Sequence, residues 1–134
     1  MATTRLDSLR AYARAWQQSG EHEIRALIEE CWTPTSIYVN PLTDAIRGVD
    51  GLTQVIVDYP VLFPDAQVRP GGEPDARASY LCYPWRLSST ARIRVLGEDH
   101  GLVLEGTDVM EFDADHKIKT VVSFFGKAPL QISS

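Results

Sequence analysis

Apolar residues return every three to four positions through the first half of the chain and at every second position through the rest. Leu6, Leu9, Ala13 and Trp16 form one helical stripe with Tyr12 on its flank. The spacing predicts a helix that opens after Thr4, a good N-cap, and stops at Ser19-Gly20. Ile24, Leu27, Ile28 and Cys31 predict a second helix, ended before Thr33-Pro34 because the position ahead of proline disfavours helix. Ser36-Ile37-Tyr38-Val39 reads as a short strand closed by Asn40-Pro41. A third helix, with Leu52, Val55, Ile56 and Tyr59 on one face, should run from Asp50-Gly51 to Pro60.

The second half reads as strands. Leu81, Tyr83, Trp85 and Leu87 share one phase of an alternating segment over 78–88, in which Pro84 marks a bulge or a sheet edge. Residues 90–97 alternate again, Ile93 and Val95 opposite in phase to Arg92 and Arg94. A turn at 98–101 leads to a long strand over 102–112, a second turn at 113–116 and a last strand over 117–126. Helices followed by an antiparallel meander define an α+β domain in which helices cover one face of a curved sheet and enclose a pocket.

Composition narrows the classes of partner. With 134 residues, 44% of them hydrophobic, the chain makes one domain, 1–134. Thirteen Lys plus Arg against eighteen Asp plus Glu give a net charge of −5, which disfavours nucleic acid and anionic membranes. No apolar run approaches the ~20 residues that span a bilayer, and the first ten residues have no signal-peptide core. Cys31 and Cys82 lie in apolar patterns and read as free buried thiols, so a reducing, cytoplasmic location is expected.

One position breaks the pattern. In the strand from Leu102, the core-facing phase is Leu102, Leu104, Gly106, Asp108, Met110 and Phe112, while Val103, Glu105, Thr107, Val109 and Glu111 face water or a partner. A carboxyl in the apolar phase costs several kcal/mol unless it is paired, hydrogen-bonded or neutral. With no basic residue in its own phase, desolvation should raise its pKa. Asp108 therefore either caps a backbone group or meets an arginine from another strand, or it serves as a buried acid lining a pocket. Tyr12, a phenol at the edge of an apolar stripe, and Asn40, in an Asn-Pro turn, are the companion candidates; a satisfied core tyrosine and an ordinary turn are their plain readings. His22, His100 and His116 have no ligand spacing and the cysteines form no CxxC, so no metal site is expected. Neither GxSxG, nor a phosphate loop, nor a dinucleotide fingerprint occurs.

The order of motifs carries a resemblance. Tyr12 ahead of Trp16-Gln17-Gln18-Ser19-Gly20, then Tyr38-Val39-Asn40-Pro41 and Gly48-Val49-Asp50-Gly51-Leu52, then Gly106-Thr107-Asp108-Val109-Met110-Glu111-Phe112 and Ser123-Phe124-Phe125-Gly126 span nearly the whole chain. Together they resemble the nuclear transport factor 2-like superfamily, in its SnoaL-like polyketide cyclase and ketosteroid isomerase branch. The resemblance implies a cone-shaped α+β barrel. It also implies an isomerase or cyclase acting on a hydrophobic, carbonyl-bearing substrate by cofactor-free general acid–base catalysis. Tyr12 and Asp108 match the isomerases' two donors to the enolate oxygen, whereas Asn40 stands where their base, an aspartate before proline, would be. Limonene epoxide hydrolases use a Tyr-x-Asn pair on water, matched in spacing by Tyr38 and Asn40, with Ser123 at the place of their basic aspartate. The expected site is thus Asp108, Tyr12 and Asn40 as catalytic residues, with Tyr38, Trp16, Phe63, Trp85, Met110, Ser123 and Phe125 around the substrate. A non-catalytic binder of hydrophobic small molecules is the alternative. If the last strand points Val121, Ser123 and Phe125 inward, then Val103, Val109, Ile118 and Val122 leave its outer face apolar enough to pair two copies.

Overall fold

The computed structural model describes residues 4–95 and 97–126, with backbone alone at 62, 91–95 and 98–102. Helix α1 (Arg5–Ala15) starts as its sequence predicts, with the Thr4 hydroxyl accepting from the Asp7 N–H at 3.0 Å. Helix α2 (Glu21–Cys31) buries Ile24, Ile28 and Cys31 and runs directly into β1 (Trp32–Val39). After the two-residue β2 (Ile46–Arg47), α3 spans Gly48–Leu62. Gly48 opens it at φ +79, a conformation that suits glycine, and its carbonyl accepts from the Trp32 indole N–H. Pro60 does not end this helix. It lies in the last turn on the exposed side, where only one backbone bond is forgone, and the helix closes at Phe63, whose N–H reaches the Tyr59 carbonyl.

The remaining strands are β3 (Gln67–Pro70), β4 (Asp75–Ala76), β5 (Tyr80–Val95), β6 (Glu98–Phe112) and β7 (Ile118–Phe125). They form one sheet in the order β2-β1-β7-β6-β5-β3, with β4 also on β5. The sheet is mixed rather than antiparallel, because β1 and β7 run parallel, and it stays open instead of closing into a barrel. The two segments predicted around 78–88 and 90–97 are a single strand. The β5–β6 register shifts between Ser89 and Arg92, where Ser89 and Thr90 bond instead to the Pro64 carbonyl. Its turn falls at Gly97 (φ +83) rather than at 98–101. The side chains of Arg92, Ile93, Arg94, Val95 and Leu102 lie outside the described residues. Pro84 occupies the gap between β3 and β4, with its carbonyl accepting from the Gly71 N–H, so no ladder bond is asked of its nitrogen.

Strands β5, β6 and β7 stack their inward residues in cross-sheet rows: Leu81, Met110 and Val121; then Tyr83, Asp108 and Ser123; then Trp85, Gly106 and Phe125. The first row is buried core under the helices. On the outer face Val103 is exposed, and Val109 and Val122 are half-buried. Two residues expected there differ. Thr107 is buried between Pro84 and Phe124, its ladder neighbours. Ile118 is fully buried, because the β6–β7 register slips between Glu111 and Phe112 and turns it to the core side together with Val121. No helix among the described residues is long and apolar enough to cross a membrane.

Candidate active site

The second and third rows open into a cavity of about 230 Å³ between the sheet, α1 and α3. Asp108 is only 4% exposed. Its Oδ2 accepts from the Tyr12 hydroxyl at 3.2 Å and its Oδ1 from the Trp85 indole N–H at 2.8 Å. Ser123 stands directly across the ladder on β7. Among the described residues Asp108 thus neither caps a backbone group nor meets an arginine; neutral donors from α1, β5 and β7 surround it. Burial pushes its carboxyl up to about 6, against the pull of Ser123, Trp85 and Tyr12, which favour the ionised form.

The reach of Trp85 depends on its neighbour. A Cβ at Gly106 would collide with the Trp85 ring and with the Phe124 carbonyl. The bare backbone of Gly106 therefore lets the indole lie across β6 toward Asp108, one row away. Phe125 packs edge-on against the same ring, 5.6 Å between centroids. A glycine within an inward-facing strand phase signals such a close approach. That signal was available in the sequence, although the donor role of Trp85 was not.

Tyr12 is 1% exposed and its phenol is pushed well above its ordinary pKa, first by burial and then by the nearby Asp108 charge. Tyr38 and Tyr83 are each pushed up to about 12 by the same two causes. All three therefore remain protonated donors at neutral pH. Trp16, which follows α1, packs on Tyr12, Tyr38 and Tyr59, and its carbonyl accepts from the Tyr59 hydroxyl at 3.0 Å, joining α3 to α1.

Asn40 lies at the cavity edge. Its Oδ1 accepts from the backbone N–H groups of Leu42 and Thr43 and from the Thr43 hydroxyl, and its Nδ2 points toward the Tyr38 hydroxyl at 3.4 Å. The Asn40-Pro41 turn is thus capped by the residue that also lines the cavity. Of the expected site residues, Asp108, Tyr12, Asn40, Tyr38, Trp16, Phe63, Trp85, Ser123 and Phe125 all line this cavity. Met110 does not: it is fully buried one row deeper, between Leu81 and Val121. Tyr59, Tyr83 and Asp58 line it without having been expected. Among the described residues no group of His, Cys, Asp and Glu is placed to hold a metal.

This architecture, three helices over a curved open sheet with a cavity between them, is the nuclear transport factor 2-like α+β cone fold. Solved structures that share it are SnoaL-like and ketosteroid isomerase-like proteins. A SnoaL-like family protein from Agrobacterium tumefaciens, provisionally called an isomerase, is 25% identical with a TM-score of 0.75, over 94% of this chain and 100% of its own. A protein from Jannaschia, provisionally called a SnoaL-like polyketide cyclase, is 17% identical with a TM-score of 0.70, over 90% of this chain and 84% of its own. A protein with the ketosteroid isomerase-like fold from Catenulispora acidiphila, solved with trimethylamine, is 8% identical with a TM-score of 0.66, over 92% of this chain and 86% of its own. No protein-family model and no curated protein matches the sequence.

Proposed function

We propose that the cavity binds a hydrophobic, carbonyl-bearing small molecule and isomerises or cyclises it by general acid–base catalysis centred on Asp108. The observation that carries this reading is a buried carboxyl, hydrogen-bonded to a phenol at the wall of an apolar cavity, where burial pushes it up to about 6. A group within about a unit of the working pH can both take and return a proton.

The donors around Asp108 suggest how the two steps are linked. An indole N–H only donates, so Oδ1 stays an acceptor in both protonation states and an added proton belongs on Oδ2. While Asp108 is ionised, Tyr12 donates to Oδ2. When Asp108 takes a proton from the carbon beside the substrate carbonyl, Oδ2 no longer holds the Tyr12 hydrogen. The phenol is then free to donate to the enolate oxygen created by the same transfer. Returning the proton to another carbon completes an isomerisation. In a cyclisation the enolate carbon attacks a second carbonyl and the proton goes to its oxygen.

One feature supports a second reading, a binder without catalysis. Asn40 cannot abstract a proton, and its carbonyl oxygen is taken up by the turn. The two readings separate by identifying what the purified protein carries, using native mass spectrometry, and following it on incubation. The enzyme reading expects turnover by the parent chain, and Asp108→Asn that still binds but is slowed about 100-fold or more. A ligand that remains bound and unchanged would leave the binder.

A further inference from the structure

Among the described residues, the charge lining the cavity is one-sided. Its lining includes two carboxyl groups, Asp58 on α3 and Asp108 on β6, and among the described lining residues no lysine, arginine or histidine. Aromatic rings form the flanks. On one side Trp16 lies 6.2 Å from Tyr12, 6.1 Å from Tyr38 and 5.2 Å from Tyr59, centroid to centroid. On the other, Trp85 packs on Phe125. Asp108 joins the two groups, bonded through one oxygen to Tyr12 and through the other to Trp85. A carboxylate in a low-dielectric site, flanked by π faces, attracts a cation that has itself little water to lose.

The occupied oxygens narrow the class of cation. Tyr12, Trp85 and Ser123 already take up most of the lone-pair sites of the two oxygens, so a primary ammonium would find about one acceptor there for its three N–H groups. An alkylated ammonium has few or no N–H groups to satisfy and needs only the field and the ring faces. Tyr12, Trp85 and Tyr59 each spend their polar hydrogen on a protein acceptor, so the rings they contribute to the lining offer no free donor. From this geometry we infer that the cavity selects small, carbon-rich tertiary or quaternary organic ammonium ions over neutral molecules of the same shape. This selectivity does not depend on whether the cavity catalyses.

The preference should follow the charge on Asp108. The groups facing it from the surrounding elements are Tyr12 on α1, Tyr38 on β1, and Tyr83 and Trp85 on β5, with Ser123 on β7. The three phenols are pushed above their ordinary range, and indole and serine hydroxyl do not titrate in water. Asp58, on the α3 wall, is the other acid that lines the cavity. The window between pH 5 and 7 brackets the charge change of Asp108, whose carboxyl is pushed up to about 6.

The test compares phenyltrimethylammonium with its neutral isostere tert-butylbenzene, read by the fluorescence of the cavity tryptophans. At pH 8 the cation should bind about tenfold tighter or more. At pH 4.5 the preference should shrink to about twofold or less. Asp108→Asn should abolish the preference at pH 8 while still binding tert-butylbenzene. Should Asp108→Asn fail to fold, the pH comparison on the parent chain decides alone. Equal or tighter binding of the neutral isostere at pH 8, binding of neither, a preference unchanged by pH, or one that survives Asp108→Asn would each overturn the inference.

Discussion

Replacing Asp108 with asparagine should stabilise the protein at neutral pH, and the gain should disappear in acid. The amide fits the hydrogen bonds already present: its oxygen can accept from the Trp85 indole at Oδ1, and its N–H₂ can donate to the Tyr12 hydroxyl at Oδ2. What changes is the charge. A carboxyl raised in the folded state from 3.8 to about 6 holds its proton more tightly there than in the unfolded chain. At 1.36 kcal/mol per tenfold, that difference is roughly 3 kcal/mol. Below about pH 4 both states are protonated and this contribution to stability is fully present. It is lost as pH rises from about 4 through 6, since the unfolded chain ionises first and without cost. Urea unfolding of parent and variant at intervals from pH 4 to 8 isolates the effect, because other groups titrate alike in both and cancel in the difference. Relative to the variant, the parent should lose roughly 3 kcal/mol over that window. A flat difference, or a parent that gains on the variant as pH rises, would show that the three donors outweigh burial and would refute the reasoning.

Other consequences can be checked separately. Gly106→Ala should destabilise by about 1–3 kcal/mol in urea unfolding, because the added methyl meets the Trp85 ring; a neutral effect would mean that the indole does not lie across β6. Asn40→Asp places a carboxylate beside Tyr38 within a turn that already donates to it. On a β,γ-unsaturated ketone followed by absorbance it should raise isomerisation by about 10²–10⁴-fold over the parent. No gain with the ketone bound would favour the binder. We expect a homodimer through the outer sheet face, where Val103 is 49% exposed and Phe124 38%. Light scattering that gives a monomer at micromolar concentration would contradict it.

What could be read from the sequence was local. The three amphipathic helices and the phases of β5 and β6 are statements about spacing, and each residue in them carries its own evidence. The parallel pairing of β1 with β7 joins segments some eighty residues apart and leaves no mark in either one's pattern. Strands β2 and β4, two residues each, are too short to show a period. The bend in β5 looked like a break between two strands because a shift in register interrupts alternation as a turn does. Asp108 was legible because a lone acid in an apolar phase violates a strong rule. The reach of Trp85 was not, because an indole N–H in a strand looks like any other apolar side chain until its partner is placed. Met110 shares the phase of Asp108, and phase alone does not say which row faces a cavity and which is closed under a helix.

The most direct test is a carbon-detected NMR titration that follows the Asp108 side-chain carboxyl in the intact parent chain, assigned by comparison with Asp108→Asn. A buried acid held by Tyr12 and Trp85 at the cavity wall predicts a midpoint at about 6, above its ordinary 3.8. A midpoint at or below 3.8 would make Asp108 too weak a base to take a proton from carbon and return it near neutral pH, and would contradict the acid–base role assigned to it.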